Sequence, residues 1–171
     1  GRLGARLILV GRKQDRLDSL ATALAEKEIV AETIALDIRQ QGDVQDLFRH
    51  VREKFGQLDL LINSAGGQFP QAAIDFSEKG WNAVIATNLT GTWFMMQAAA
   101  QFWRDTESKG SIVNIVVVTR HGLYGVAHTI AARAGVIGLS QNLAVEWAPL
   151  DIRVNCIAPG AIETEGWKVY S

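Results

Sequence analysis

The chain has 171 residues, 48% of them apolar and 20% charged, so it is long enough to bury a core and is not a disordered segment. Its formal net charge of −1 gives no electrostatic reason to expect nucleic acid or an anionic membrane as a partner. The single cysteine, Cys156, excludes an internal disulfide, and no apolar stretch is long enough to span a bilayer. We interpret Cys156 as a buried structural thiol in a reducing compartment.

Strand and helix patterns alternate along the chain. Apolar runs bounded by turn residues predict strands, and apolar residues at helical spacing predict helices. In chain order we predict strand 6–10, helix 15–27, strand 31–37, helix 43–55, strand 58–63, helical stretch 78–104, strand 111–118, helix 126–147 and strand 152–158. This alternation predicts an α/β fold, a doubly wound parallel sheet of Rossmann-like type, with 1–171 as a single dinucleotide-binding domain.

Three of these elements carry more specific expectations. Helix 15–27 places Leu17, Leu20 and Leu24 on one apolar face. The stretch 78–104 is interpreted as two helices that are broken near residues 88–91. Strand 111–118 is a continuous apolar run, which is typical of a strand buried on both faces.

The segment 58–67 is the most informative part of the sequence. Its apolar run predicts a buried strand of a parallel sheet and ends abruptly in Asn63, Ser64, Ala65, Gly66 and Gly67. Small residues let another molecule approach the backbone closely, and ligands of open α/β sheets bind outside the carboxyl ends of the strands. The segment therefore indicates the edge of a cofactor site.

Four motifs stand in order along the chain: Asn-Ser-Ala-Gly-Gly at 63–67, Asn-Leu-Thr-Gly at 88–91, Gly-Ser-Ile-Val-Asn-Ile at 110–115 and Ile-Arg-Val-Asn-Cys-Ile-Ala-Pro-Gly at 152–160. With them the chain resembles the short-chain dehydrogenase/reductase family. Ala-Ala-Arg-Ala-Gly-Val at 131–136 and Glu-Trp at 146–147 narrow the resemblance to the branch of peroxisomal trans-2-enoyl-CoA reductases and 2,4-dienoyl-CoA reductases. The resemblance covers essentially the whole chain.

The resemblance implies a set of cofactor-binding residues. It implies an adenine contact at Asp37 and Ile38, and a lining of the adenosine ribose and pyrophosphate at Asn63, Ala65 and Gly66. Asn88 matches the asparagine that helps to hold a catalytic water and the local backbone. The loop that meets the nicotinamide amide matches Pro159, Gly160 and Ile162. For Asn63 and Asn88 a purely structural role stays open, because a buried amide can bridge strands.

The residues after the first predicted strand bear on the choice of cofactor. A basic residue at this point of a dinucleotide fold suits a 2′-phosphate, whereas an acidic one binds the ribose 2′-hydroxyl. Arg12 offers a planar fork for phosphate and Lys13 adds charge, with no acidic residue between Leu9 and Gln14. We therefore favour NADP(H), and the alternative is an ordinary solvated basic loop.

Two ends of the family fold have no counterpart in this sequence. The first strand with its Gly-rich turn normally precedes residue 6, and the family's last strand would follow Ser171. Without the first strand, strands 6–10 and 58–63 are expected to lose the neighbour between them. The sequence is compatible with two interpretations: a piece of a longer protein, or an unusual truncated form of the family.

The usual catalytic residues of the family are also replaced. Alignment through residues 134–136 places Thr129 at the tyrosine position and Arg133 at the lysine position, while Val116 or Val117 falls at the serine position. The resemblance implies that Arg133 holds the cofactor ribose and that Thr129 donates one hydrogen bond. Tyr124 is the nearest phenol and a candidate displaced acid. Two histidines, His121 and His128, are further candidates. Each of the three has a non-catalytic alternative: a surface position for Tyr124, which we favour, a solvent-exposed position for His121, and a polar residue at the helix start for His128.

We expect an NADP(H)-dependent reductase of the C=C bond of 2-enoyl-CoA-like thioesters. The alternatives are a catalytically inactive binding or assembly protein of the same fold and a carbonyl reductase with a displaced acid. No metal is expected, because no Cys/His set has zinc spacing. A homo-oligomer through helices 88–104 and 126–147 is expected from the resemblance. The expected location is cytoplasmic, or peroxisomal for a eukaryotic relative with a longer C-terminus.

Overall fold

A computed structural model describes residues 1–118, 122–160 and 162. Strands and helices alternate, with short 3-10 turns at Ala73–Asp75 and Ala148–Leu150. The elements are β1 (Leu7–Gly11), α1 (Gln14–Ala25), β2 (Ala31–Ala35), α2 (Gln41–Phe55), β3 (Leu60–Asn63), α3 (Glu78–Ile85), α4 (Thr92–Asp105), β4 (Gly110–Ile115), α5 (Ala127–Glu146) and β5 (Ile152–Ile157). The predicted α/β class is confirmed.

The described strands form two parallel sheets. Strands β1 and β2 pair with each other, and β3, β4 and β5 form a second sheet in that order. The two sheets separate between β1 and β3, the strands that were expected to lose a common neighbour. Both sheets border one core, because Ile8 and Val10 of β1 pack against the cluster that contains Leu61 and Ile112.

One face of the second sheet is covered and the other is open. Leu61, Ile112 and Val154 lie side by side in the register and are buried in the core with residues of α2, α4 and α5. On the opposite face, Leu60 is 46% exposed and Ile62 is 57% exposed. The prediction that the strand at 58–63 is simply a buried one is therefore wrong for this face. In β4, Val113 and Ile115 are only half-buried, and the strand ends at Ile115 rather than Val118.

The stretch 78–104 is helical without the predicted break. After α3 the backbone widens into a π-helical segment, Ala86–Gly91, and continues directly into α4. Gly91 is required there because a Cβ would lie 2.7 Å from Cγ1 of Ile38. The turn residues at 88–91 therefore mark a widened helical turn, a feature that is frequent at functional sites.

Two other sequence expectations are wrong. Leu20 of α1 is 48% exposed, and Leu17 is the only residue of that helix that is buried. Cys156 is half-buried rather than fully buried, since it lies near the end of β5. In α2, by contrast, Val44, Leu47, Phe48 and Val51 are all buried and form one apolar face.

Candidate active site

The small residues after β3 meet Arg133 of α5. Arg133 Nη2 donates a hydrogen bond to the backbone carbonyl of Ala65, at 3.1 Å. A Cβ on Gly66 would lie 2.1 Å from the same Nη2, so the guanidinium seats directly against this glycine. Burial lowers the pKa of Arg133, which nevertheless stays charged at neutral pH. The structure thus brings together Ala65, Gly66 and Arg133, three of the predicted site residues.

Asn88 fixes the next residue of the same loop. Its Oδ1 accepts from the backbone N–H of Gly67 at 2.9 Å, and its Nδ2 donates to the Gly67 carbonyl at 3.0 Å. The side chain is 1% exposed and stands in the π-helical segment. The predicted role in holding the local backbone is therefore seen, whereas the role in holding a catalytic water stays a prediction.

Asn63 belongs to a buried polar ladder on the covered face of the sheet. Its Nδ2 donates to Oδ1 of Asn114 at 2.8 Å, and Asn114 Nδ2 donates to Ser140 Oγ at 2.9 Å. The ladder ties β3 and β4 to α5. The structural role left open for Asn63 is thus present, and its contact with a cofactor stays a prediction.

The ends of β1 and β2 carry a charged cluster. The Asp37 carboxylate accepts from the Arg39 guanidinium through both oxygens, with Nε 2.9 Å from each. The hydrogen bonds from Arg39 hold the pKa of Asp37 below its ordinary value against the opposing effect of burial, and the charge of Arg12 lowers it further. Asp37 is therefore neutralised by Arg39, while Arg12 and Lys13 are exposed. Ile38, predicted beside Asp37, packs against Gly91.

Thr129 and His128 lie together in the first turn of α5. Both are buried, at 4% and 0% exposure, and Thr129 Oγ1 and His128 Nε2 have no hydrogen-bond partner in the described part of the chain. The His128 ring stacks on Phe76 with centroids 4.5 Å apart and meets the ring of Phe69 edge-on at 4.6 Å. His128 therefore lies at the start of α5, as predicted, and is buried there against the loop that precedes α3.

The remaining candidates differ in their exposure to solvent. Tyr124 is 91% exposed, and Ile162 is 58% exposed. Pro159 is half-buried and Gly160 is exposed beyond the end of β5. Val116 is buried and Val117 is half-buried, and neither of these two candidates for the family's serine position supplies a hydroxyl. His121 lies outside the described residues.

Sequence reasoning missed Arg39, Asn114 and the aromatic pair Phe69 and Phe76. The sequence could have predicted the pairing of Arg39 with Asp37, because the two residues carry opposite charges, are two positions apart and come just after the end of a strand. The aromatic pair has none, because the contacts with His128 join segments more than fifty residues apart.

A parallel α/β sheet that ends in small residues beside a cation has the general arrangement of a nucleotide-binding domain. The sequence profile described as short chain dehydrogenase matches residues 1–171, and the chain belongs to that family. No cluster of possible metal ligands occurs among the described residues, nor does that part of the chain contain a helix long and apolar enough to cross a membrane.

Several known proteins are similar to the chain. A probable 2,4-dienoyl-CoA reductase of Bacillus subtilis is 38% identical over 166 residues, which cover 96% of this chain and 65% of the relative. A peroxisomal 2,4-dienoyl-CoA reductase of Arabidopsis thaliana is 37% identical, with 95% and 57% covered. The crystal structure of a short chain dehydrogenase from Bacillus anthracis has a TM-score of 0.87 at 40% identity, with 95% of this chain and 66% of that one covered. The chain thus spans about three fifths of the length of the curated relatives that it matches.

Proposed function

We propose that this chain acts as an NADP(H)-dependent reductase of the C=C bond of 2-enoyl-CoA-like thioesters. The observation that carries the proposal is Arg133, seated against Gly66 and bonded to Ala65 at the small-residue edge of the sheet. A fixed cation beside exposed backbone suits a ligand that has ribose hydroxyls and phosphates. The relatives named as 2,4-dienoyl-CoA reductases support an acyl-CoA-type substrate.

The charges around β1 support NADP(H) over NAD(H). Asp37 is already compensated by Arg39, so Arg12 and Lys13 are exposed cations that a 2′-phosphate can engage. Space for a ligand is available beside the loops, because a Cβ on Gly67 or Gly160 would meet no atom within 4 Å. A similar fold, an actinorhodin polyketide ketoreductase with NADPH, has a TM-score of 0.91 to this chain at 28% identity.

The chemistry assigns different tasks to Arg133 and Thr129. A bound nicotinamide supplies the hydride that reduces the alkene at its β-carbon. Negative charge then develops on the thioester oxygen, which hydrogen-bond donors stabilise. The Thr129 hydroxyl is buried and has no hydrogen-bond partner among the described residues, and we assign the donation to it, which requires the surrounding segments to open for the substrate. Arg133 adds positive charge and orients the ribose, but does not transfer protons because it stays protonated. Tyr124, which is 91% exposed, is the candidate proton donor.

A non-catalytic binding protein of the same fold is the second candidate. It is favoured by the inaccessible hydroxyl of Thr129 and by the exposed position of Tyr124. In this case the chain would bind nucleotide without turnover.

Cofactor binding is the decisive experiment. Titration with NADPH and NADH, followed by fluorescence, is expected to show tighter binding of NADPH. Replacing both Arg12 and Lys13 by Ala is expected to remove the preference. A control with Arg2→Ala plus Lys27→Ala removes the same charge elsewhere and should keep it. A preference for NADPH that survives the first double substitution would contradict the assignment.

Turnover separates the two candidates. NADPH oxidation with crotonyl-CoA is expected for the reductase and absent for the binding protein. Binding of NADPH without turnover of any enoyl-CoA would therefore favour the second candidate.

We further propose that the chain self-associates through its α4–α5 side. An apolar groove of about 400 Å³ opens there. Its lining residues are Leu89, Thr90, Trp93, Gly135 and Leu139. An open apolar groove between two helices is typical of a surface that another protein covers, and a second copy satisfies the expectation from the family.

A further inference from the structure

The loop between β3 and α3, residues 64–77, is attached to the rest of the site at alternate residues. Arg133 holds Ala65, and Asn88 holds Gly67. Phe69 contacts His128, and the Gln71 backbone N–H donates to the Gly125 carbonyl at 2.9 Å. At its far end Phe76 stacks on the same His128. One imidazole therefore holds this loop at two points that are seven residues apart.

The hydrogen bond to His128 fixes its tautomer. Nδ1 accepts from the backbone N–H of Thr129 at 2.7 Å, so Nδ1 carries no proton and the neutral ring is protonated at Nε2. Burial keeps the ring neutral by lowering the pKa of His128, although the backbone carbonyls of Val126 and Phe69 act in the opposite direction. The same bond satisfies an N–H group of the first helical turn, which has no partner within the helix.

A phenylalanine would fit this aromatic environment better than a histidine. His128 is 0% exposed, and its Nε2 has no hydrogen-bond partner of normal length and angle in the described part of the chain, although the Phe69 carbonyl is near enough to raise the pKa of the ring. A buried donor without a partner is destabilising, whereas an apolar group of the same shape is neutral or stabilising. Packing alone therefore does not explain why a histidine occupies this position. Its Nδ1 accepts from the backbone N–H of Thr129, and this hydrogen bond is a contact that phenylalanine could not make.

We propose that His128 is a positioning residue: Nδ1 orients the backbone of Thr129, and the ring holds the loop 64–77 in place at Phe69 and Phe76. The kinetic part of this inference rests on the proposed reductase function. Because the two contacts come from different atoms of one side chain, substitutions can separate them. Orientation of Thr129 affects kcat, while attachment of the loop, which carries Ala65 and Gly66, affects KM for NADPH.

Three variants test the separation. H128F keeps the ring but removes Nδ1, so kcat should fall roughly two- to tenfold while KM stays native. H128N keeps an acceptor at the position of Nδ1 but removes the ring, so KM should rise while kcat is largely retained. H128A removes both and should show both defects. Amide exchange of residues 68–76 should be native in H128F and faster in H128N and H128A.

Two results would overturn the inference. The first is an H128F variant with native kcat and KM. The second is a ¹⁵N spectrum of the native chain that shows the Nδ1–H or the doubly protonated form of His128 at neutral pH. The spectrum and the amide exchange need no turnover. If the native chain reduces no enoyl-CoA, the proposed function fails, and these two measurements still decide whether His128 holds the loop.

Discussion

Gly66 is the position at which the loop after β3 leaves no room for a side chain. A Cβ there would lie 2.1 Å from Arg133 Nη2 and 3.3 Å from Asn88 Oδ1. Gly66→Ala is therefore expected to push the guanidinium off the Ala65 carbonyl and to weaken NADPH binding roughly tenfold, the scale of one charge-assisted hydrogen bond. Stability should change by less than about 1 kcal/mol, since the far end of a flexible side chain moves aside.

The control for this prediction is Gly42→Ala. A Cβ at Gly42 meets no atom within 4 Å, and the residue lies in α2 away from the loop. Its NADPH affinity should equal that of the native chain. Native affinity in Gly66→Ala, measured by the same titration, would show that the contact between Gly66 and Arg133 does not position the cation for the cofactor.

Residues of the candidate site differ in how far the sequence predicts them. Ala65, Gly66, Asn88 and Arg133 were predicted from motifs and lie together, because local backbone requirements at a strand end or helix turn leave a sequence signal. The burial of Thr129 left no signal, because the residues that cover a helix start are set by the tertiary fold rather than by local sequence.

At the scale of elements, the start of β4 is fixed by the packing of α4. A Cβ on Gly110 would lie 2.1 Å from the ring of Trp103, which is fully buried and donates from Nε1 to the Leu58 carbonyl at 2.7 Å. The rigid ring has no space to move, so Gly110→Ala should lower the free energy of unfolding by about 1–3 kcal/mol or more. Chemical denaturation measures the loss.

A double-mutant cycle identifies the cause of this loss. Trp103→Leu leaves a cavity and is destabilising alone, but it gives the added methyl group of Gly110→Ala room. The two losses should therefore be clearly less than additive. Additive losses would show that the methyl group clashes with something other than the Trp103 ring.

A charged link between β2 and α2 gives a prediction about pH. Glu32 accepts from Lys54 at 2.8 Å and from His50 at 2.6 Å. The hydrogen bond from Lys54 lowers the pKa of Glu32 below its ordinary 4.5; burial raises it, and the bond from His50 adds to the lowering. A carboxyl whose pKa is lowered by folding stabilises the protein above the unfolded pKa and loses this effect as pH falls through the folded pKa.

The variant Glu32→Gln isolates this effect. The native chain should be more stable than the variant at pH 7, by less than about 1 kcal/mol because the pair is partly solvated. The advantage should hold down to about pH 4.5 and shrink below it. Asp46→Asn, which breaks the exposed pair with Arg49, serves as the comparison. An advantage that grows as the pH falls below 4.5 would contradict the sign.

The local sequence pattern predicts where strands and helices occur more reliably than it predicts which residues pack against them. All predicted strands and helices occur, with ends shifted by a few residues, because apolar periodicity reports which side of an element is buried. The open face at Leu60 and Ile62 and the half-buried Val113 depend on which elements lie across the sheet. The π-helical segment escaped prediction because Asn, Thr and Gly suggest a break, whereas here they accommodate Gly67 and Ile38.

At the scale of the whole molecule, self-association through the α4–α5 side has a direct test. Thr90 lines the groove without belonging to the apolar core, so Thr90→Lys introduces a charge there and removes no core contact. Covering the groove with a second copy would then bury an unpaired ammonium, which is strongly unfavourable. Sedimentation at equal concentrations should show dimers or larger species for the native chain and a shift toward monomer for the variant.

The comparison for this test is Ser19→Lys on the exposed side of α1. It adds the same charge away from the groove, and its mass in solution should equal that of the native chain. Helix content and thermal unfolding of the monomeric Thr90→Lys chain should stay native, because the groove is a surface feature. A Thr90→Lys variant that sediments like the native chain would place the interface elsewhere. A native chain that is already monomeric would contradict the proposed interface. Neither result would affect the proposed cofactor site, which lies at the sheet edge with Arg133 and Gly66.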